Sequence, residues 1–274
     1  MKRSLKNICV LTSPYSDRAR DYDTRLRDVL GEYGYRVHTA IQPSDELIIV
    51  LGGDGFMLES LHSLNFPDIP MWGINFGQVG LLMNNIPDAS EIPAIIRKGN
   101  YRLIPYPLLN ASFEFNNGRK KTILAFNEIS AERLGCQNIR LDCHIDGTLL
   151  NRFSGDGLII ATPTGSTAYS FAAGGAVVHA GVPAILLTPV NPHRPVQFHS
   201  LQFPVVLPES TEIRITVCDY HKRKARLMAD GMDLGCVRKI SVTCSDRKVL
   251  LVKAFSYCFT NALLNKIIGG NDSS

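Results

Sequence analysis

The chain has 274 residues, 45% of them hydrophobic and 20% charged, with a formal net charge of +4. That length suffices for one large domain or two ordinary ones, and the composition excludes a disordered, collagenous or disulfide-dense chain. The basic runs Arg119-Lys120-Lys121 and His221-Lys222-Arg223-Lys224 are short and carry no interleaved aromatics. They read as solvated hairpin tips, so no nucleic-acid surface is expected.

Seven cysteines are an odd count, and none form a C-x-x-C pair. Neither a disulfide framework nor a zinc knuckle is suggested, and a reducing, cytoplasmic setting is expected. The opening MKRSLKNICVL is too briefly apolar for a signal peptide, and no run is long and apolar enough to imply a membrane span.

In chain order, Ile8–Thr12 reads as a first strand. Ser16 then precedes a polar helix with Leu26, Val29, Leu30 and Tyr33 on its apolar face, ended by Gly34. Tyr35–Ala40 reads as a second strand, Ile48–Leu51 as a third and Ile69–Asn75 as a fourth, with a further helix over Ala89–Lys98. This is an α/β N-terminal domain with a Rossmann-like parallel sheet. Only about six residues separate the second and third strands, too few for a helical crossover, so the two are not expected to be neighbours.

The third strand runs into Leu51-Gly52-Gly53-Asp54-Gly55-Phe56, and Phe56, Leu58, Leu61 and Leu64 follow near helical spacing. Strand, glycine turn and helix form a common phosphate-binding context, because glycine lets a ligand approach the backbone closely. A carboxylate there repels phosphate unless it handles a proton or a metal. The alternative is a tight turn with Asp54 capping the helix.

From Tyr101 the pattern changes to short β-rich runs, among them TILAFNEISA, NIRLDCHID, GLIIAT, AILLTPV, EIRITVC, KISVTC and KVLLVKAF. Asn117-Gly118, Asp146-Gly147 and Asp230-Gly231 mark turns between them. The expected arrangement is an α/β domain over 1–104 plus about 256–274 and an all-β, sandwich-like C-terminal domain over 105–255. A linker is expected near Leu103–Leu108, where two prolines interrupt the pattern. A C-terminal helix (Ser256–Ile268, with Phe259, Leu263, Leu264 and Ile267 at helical spacing) is expected to return to the α/β domain.

A second glycine-rich segment, SGDGLIIATPTGSTAYSFAAGGAVV, covers Ser154–Val178. Between Thr162 and Ser170 it places five hydroxyl side chains and Tyr169 around Pro163 and Gly165, donors that suit the phosphate, ribose or amide groups of a nucleotide. The chain contains no G-x-x-x-x-G-K-[ST] and no G-x-G-x-x-G after a strand, so neither the Walker nor the usual dinucleotide fingerprint applies. His193 and His199 read as surface or core histidines. No metal-ligand spacing is present.

Gly52-Gly53-Asp54-Gly55, Gly73-Ile-Asn-Phe-Gly77 with Gly80-Leu81-Leu82, Asn127-Glu128, and Asp156 through Tyr169 occur in one order that resembles the NAD kinase family. The likeness runs from about Ile48 to Phe255, and TPTGSTAYS is its most specific part. The resemblance implies transfer of the γ-phosphoryl of ATP, or of polyphosphate in some members, to the adenosine 2′-hydroxyl of NAD. Asp54 matches the family's catalytic aspartate, as proton acceptor or as a Mg²⁺ ligand, with Mg²⁺ arriving on ATP. Gly52, Gly53, Gly55, Gly165 and Ser166 are implied at phosphate or nucleotide. Asp54, Gly55, Phe76, Asn127, Glu128, Asp156, Thr167, Ala168, Tyr169, Ser170, Phe171 and Ala172 are implied at NAD.

A homodimer or homotetramer is also implied, since in the family some contacts come from a neighbouring subunit. Phe56, Ser154, Ala172 and Met232 depart from the family pattern and bear on donor choice and on NAD against NADH. The readings that compete are a lipid kinase of the same superfamily and a non-catalytic NAD(P)-binding sensor.

Overall fold

The computed structural model of the chain describes residues 5–78, 80–193 and 200–268, so His199 lies outside the described residues. The chain divides into two compact units, Met1–Pro105 with Val249–Ser274, and Tyr106–Lys248.

The first unit begins with β1 (Asn7–Thr12), α1 (Asp17–Glu32), β2 (Arg36–His38), β3 (Leu47–Gly52), α2 (Asp54–Ser63), β4 (Met71–Asn75) and α3 (Glu91–Lys98). β1 pairs in parallel with both β2 and β3, and β3 pairs in parallel with β4. β2 and β3 therefore flank β1 on opposite sides and are not neighbours, as their short connector requires. Every residue of β3 is buried, the mark of a central parallel strand covered on both faces.

Ser16 caps α1, its hydroxyl accepting the Ala19 N–H at 3.2 Å. The buried face of α1 is Ala19, Tyr22, Leu26 and Leu30. Tyr33, expected on that face, lies beyond the last helical turn and is exposed, where Gly34 at φ 82° turns the chain away.

The second unit is antiparallel. β5 (Tyr101–Phe115) leads into β6 (Lys120–Ala125), β7 (Glu128–Arg133), β8 (Ile139–Ile145), β9 (Thr148–Gly155) and β10 (Gly157–Ala161). After a 3₁₀ turn at Gly165–Thr167 come the one-turn α4 (Tyr169–Ala172), β11 (Ala184–Val190), β12 (Val205–Pro208), β13 (Ile213–Cys218), β14 (Ala225–Ala229) and the long β15 (Met232–Ala254). The ladders run β12–β11–β10–β7–β14–β15, with β13, β8 and β9 continuing from β15. Inward residues such as Leu109, Ile129, Leu141, Phe153, Leu158, Ile215 and Leu227 form its core.

Three boundaries differ from the sequence expectation. The prolines of LIPYPL do not break the chain. β5 runs straight through Pro105 and Pro107, and its ladder with β6 begins only at Leu109, so that ladder needs no N–H from either. TILAFNEISA is two strands, β6 and β7, parted at Phe126-Asn127. KISVTC and KVLLVKAF are one strand, the 23-residue β15.

The end of β15 belongs to the first unit, where Leu251 pairs in parallel with Met71 of β4. α5 (Phe259–Ile268) also lies in that unit. Its Leu264 is 47% exposed and so falls off the expected apolar face.

Candidate active site

In the first unit, the Gly52-Gly53-Asp54-Gly55 turn joins the end of β3 to the start of α2. Gly53 is the N-cap residue, and no side chain caps the helix. Asp54 is therefore not a helix cap. Its carboxylate reaches to another loop, where Oδ2 accepts the Leu81 N–H at 3.1 Å and Oδ1 accepts the Leu82 N–H at 3.0 Å.

Of the facing glycines 53 and 77, the second has the steric reason. A Cβ on Gly77 would stand 3.2 Å from the Gly53 Cα, whereas one on Gly53 would stand 3.5 Å from the Gly77 Cα, an ordinary contact. The two backbones pass close to one another. The Phe76 N–H donates to the Gly52 carbonyl at 2.7 Å, fixing that approach. The Phe76 ring packs edge-on against Tyr22, with centroids 5.1 Å apart, so one edge of this residue serves the core. Gly55 is exposed, and a Cβ there would meet nothing within 4 Å.

The loop that holds Asp54 is itself held by the end of the chain. Lys253 is fully buried, yet its Nζ donates to the carbonyls of Leu82 at 2.7 Å and Leu81 at 3.0 Å and lies 3.5 Å from that of Met83. The Tyr257 hydroxyl donates to the Leu81 carbonyl at 2.8 Å, and Lys253 Nζ sits 3.8 Å from the centroid of the Tyr257 ring. Asn84 donates to the Gly73 and Val252 carbonyls and accepts the Ala254 N–H. Burial pushes the Lys253 ammonium down to about 7, opposed by the Asp54 charge. It pushes the Tyr257 hydroxyl up to about 12, helped by Asp54 and Cys258. Neither residue was singled out in the sequence, where Lys253 is one charge in the apolar run KVLLVKAF.

Beside this network lies a cavity of about 440 Å³ lined by Asn75, Gln78, Gly80, Asn84, Tyr257 and Cys258, among others. Its walls are amide-rich, which suits uncharged hydrogen-bonding groups.

In the second unit, Asn127 and Glu128 sit at the start of β7, next to Asp230 of the β14–β15 turn. The Asp230 carboxylate accepts the N–H groups of Phe126, Asn127 and Glu128 at 2.6, 2.7 and 3.0 Å, and the Asp230 N–H donates to the Glu128 carbonyl. Asp230 has φ 46° and Gly231 φ 82°, the paired left-handed residues of a tight hairpin.

The TPTGSTAYS loop packs on the Phe126-Asn127 turn. The Thr162 hydroxyl donates to the Phe126 carbonyl at 2.8 Å and accepts the Gly165 N–H at 3.0 Å. A Cβ on Gly165 would stand 2.1 Å from the Asn127 carbonyl oxygen, so only glycine fits.

Four of the five hydroxyls of this loop, those of Thr162, Ser166, Thr167 and Ser170, are engaged by protein partners. Ser166 is fully buried and donates to the Pro163 carbonyl at 2.6 Å. Thr167 donates to the Thr164 carbonyl, and Ser170 is buried against Thr188 at 2.9 Å. A buried hydroxyl needs a partner, and in a loop without regular pairing the nearest carbonyls supply it. The surface of the segment is instead Tyr169, Phe171 and Ala172, with Ala168 half-buried.

Asp156 is oriented by its neighbours. Arg133 Nε pairs with its Oδ1 at 2.9 Å, and the Asn191 amide donates to Oδ2 at 3.0 Å. Burial raises the Tyr169 hydroxyl above its usual range, and the carboxylates of Glu132, Asp156 and Glu128 reinforce that against Arg226. Glu132 is held by Ser130 at 2.7 Å and Arg226 at 3.2 Å. Carboxylates in fixed orientation around one exposed ring can accept hydrogen bonds from ribose hydroxyls and amide N–H groups.

Of the departures from the family pattern, Phe56 lies on the backbone of Gly52, where a Cβ would meet its Cδ1 at 2.8 Å. Ser154 is buried, its N–H donating to the Ser200 hydroxyl at 3.0 Å. Ala172 is exposed and Met232 is 37% exposed.

Residues 129–254 match the family described as ATP-NAD kinase C-terminal domain. An NAD kinase of Xanthomonas campestris pv. campestris is 33% identical over 253 residues, spanning 91% of this chain and 92% of that protein. The chain belongs to the NAD kinase family. The NAD kinase of Zymomonas mobilis is also 33% identical, over 72% of this chain and 75% of its own length. Among solved structures, an NAD kinase from Archaeoglobus fulgidus in complex with ATP superposes with TM-score 0.76 at 25% identity, over 97% of this chain and all of that one. Yeast NADH kinase complexed with NADH superposes with TM-score 0.83 at 24% identity over the whole chain and 90% of that one, a likeness of fold.

Proposed function

We propose that this protein is an NAD kinase that transfers the γ-phosphoryl of Mg·ATP to the adenosine 2′-hydroxyl of NAD, giving NADP. One observation carries the reading: the GGDG carboxylate is aimed by two backbone N–H groups in a chain one-third identical to NAD kinases over nine-tenths of its length. A lipid kinase or a silent sensor gains no support from any residue described above.

In this reading the acceptor hydroxyl hydrogen-bonds to Asp54, which orients its oxygen toward the γ-phosphorus. The O–P bond to ADP breaks as the new one forms, and the hydroxyl proton passes to the carboxylate. Because phosphoryl transfer has a loose transition state, orientation contributes more than basicity. A carboxylate held by two N–H bonds is a well-aimed acceptor. Its acidic oxygen set also suits Mg²⁺, which neutralises charge on the phosphates and arrives with ATP. Among the described residues no group of three His, Cys, Asp or Glu side chains is placed to hold a resident metal.

The glycine backbone of 52, 53 and 55 lies where phosphates approach the N-terminus of α2. Asn127, Glu128, Asp156 and the exposed face of Thr167–Ala172 bind NAD, with Gly165 and Ser166 acting by shaping that loop. The exposed rings of Tyr169 and Phe171 support an assembly, dimer or tetramer, in which a second copy covers them. Seven free cysteines support a reducing, cytoplasmic setting, and among the described residues no helix is long and apolar enough to cross a membrane.

The test incubates the full chain with NAD, ATP and Mg²⁺ and reads NADP with an NADP-specific dehydrogenase, alongside Asp54→Asn. Turnover in the wild type and a loss of about 10³ or more in the variant are expected. Wild-type protein that binds NAD yet forms no NADP with ATP or polyphosphate overturns the reading in favour of a sensor.

A further inference from the structure

We propose that Lys253 and Tyr257 are positioning residues for Asp54, acting through the Leu81–Leu82 peptide group; this rests on the role of Asp54 given above. The oxygen of that peptide group accepts both the Tyr257 hydroxyl at 2.8 Å and the Lys253 ammonium at 3.0 Å. The N–H of the same group donates to Asp54 Oδ1 at 3.0 Å. Donors on the oxygen polarise the peptide and strengthen its N–H as a donor, so the three side chains form one hydrogen-bond chain.

Lys253 is fully buried, so its ammonium cannot itself meet a substrate. A buried cation is costly to keep, and here carbonyls, an aromatic face and a carboxylate in the same network offset that cost. A second lock keeps the loop in register, since Asn84 ties it to Val252 and Ala254 on either side of Lys253. The ionisable groups facing the ammonium are Asp54 from α2 and Tyr257, with Cys258 beside the tyrosine. Without either donor the Leu81–Leu82 peptide is free to tilt, and the Asp54 oxygens lose their aim while the NAD contacts of the second unit are untouched.

The experiment compares wild type with Lys253→Met, Lys253→Arg and Tyr257→Phe in the full chain. It measures kcat and the KM values for NAD and ATP, and it follows the Asp54 carboxyl by ¹³C NMR titration assigned with Asp54→Asn. Lys253→Met is expected to lower kcat about tenfold or more, with KM for NAD moved less than about threefold. Tyr257→Phe is expected to lower kcat about threefold, and Lys253→Arg to recover part of the loss through its retained N–H donors. In Lys253→Met the Asp54 carboxyl is expected to titrate about one pH unit higher than in wild type, since a cation and a strong donor have gone.

An unchanged kcat, or a KM that rises as far as kcat falls, overturns the proposal. If the wild type forms no NADP, only the kinase reading fails, and the carboxyl titration decides: an upward shift upholds the link and no shift overturns it. If Lys253→Met does not fold, Tyr257→Phe decides by the same two readouts.

Discussion

Asp230 holds Asn127 in place from 103 residues away, its carboxylate accepting the Asn127 N–H at 2.7 Å while also accepting those of Phe126 and Glu128. These are the residues at which TILAFNEISA breaks into two strands. A carboxylate that gathers three successive donors fixes a turn which the flanking apolar residues do not specify. Replacing it by Ala strands donors in a half-buried place, at a cost of about 2 kcal/mol. Asp230→Ala is expected to lower the denaturation midpoint accordingly and to raise the KM for NAD about tenfold, with Asp230→Asn intermediate. Unchanged values in both measurements contradict the role given to this residue.

Gly165 and Asn127 are in backbone contact, and a methyl group between them would have to displace one main chain or the other. Gly165→Ala is expected to destabilise the chain by about 2 kcal/mol or more and to weaken NAD binding with it. Gly55→Ala places its methyl in open space and is expected to change stability by less than about 0.5 kcal/mol. Urea denaturation of the two variants side by side checks the contrast.

Gly52 and Phe56 predict a measurable coupling. The Phe56 ring occupies the space a Cβ at 52 would need, so Gly52→Ala alone is expected to be destabilising. Phe56→Thr removes that ring, and the double variant is expected to recover about 1 kcal/mol relative to the sum of the singles. A double-mutant cycle by chemical denaturation reads the coupling directly. Additive effects would show that the ring and the glycine are independent.

Lys253 gives stability a pH dependence with a definite sign. Its folded-state value, about 7, lies below the ordinary 10.5. Between those pH values the unfolded chain binds a proton that the folded chain does not, so the wild type gains stability as pH rises; below pH 7 both states are protonated and the gain is absent. Tyr257, pushed up to about 12, acts in the opposite sense above its ordinary value of 10, which confines a clean reading to pH below 10. Relative to Lys253→Met, the wild type is expected to gain on the order of a few kcal/mol from pH 7 to 9.5. Denaturant titrations at stepped pH check the slope, and a flat difference would place the charge elsewhere.

The parts of this protein legible in its sequence are those set by local rules. A short apolar run ending in glycines announced β3 and the turn that carries Asp54, and a short connector foretold that β2 and β3 flank another strand. The pieces that escaped depend on partners distant along the chain. Asp230 looked like an ordinary hairpin residue, because nothing near it reveals the three N–H groups it accepts. Lys253 looked like a lone charge in a strand, because the carbonyls it serves are about 170 positions earlier. The burial of Ser166 and Ser170 was not legible for a related reason: composition reports that hydroxyls are present, whereas burial decides which way they turn.

Because the first unit is made from two separated stretches of chain, its completion is ordered in time during synthesis. The second unit is continuous and has all its strands once residue 248 has left the ribosome. The first has α1, α2, α3 and four strands early, but the lysine and tyrosine that brace the Asp54 loop are translated only afterwards. A nascent or prematurely ended chain would therefore carry the GGDG turn without its support. Bracing of the Asp54 loop is in this way deferred until the larger β-rich unit has had the opportunity to fold.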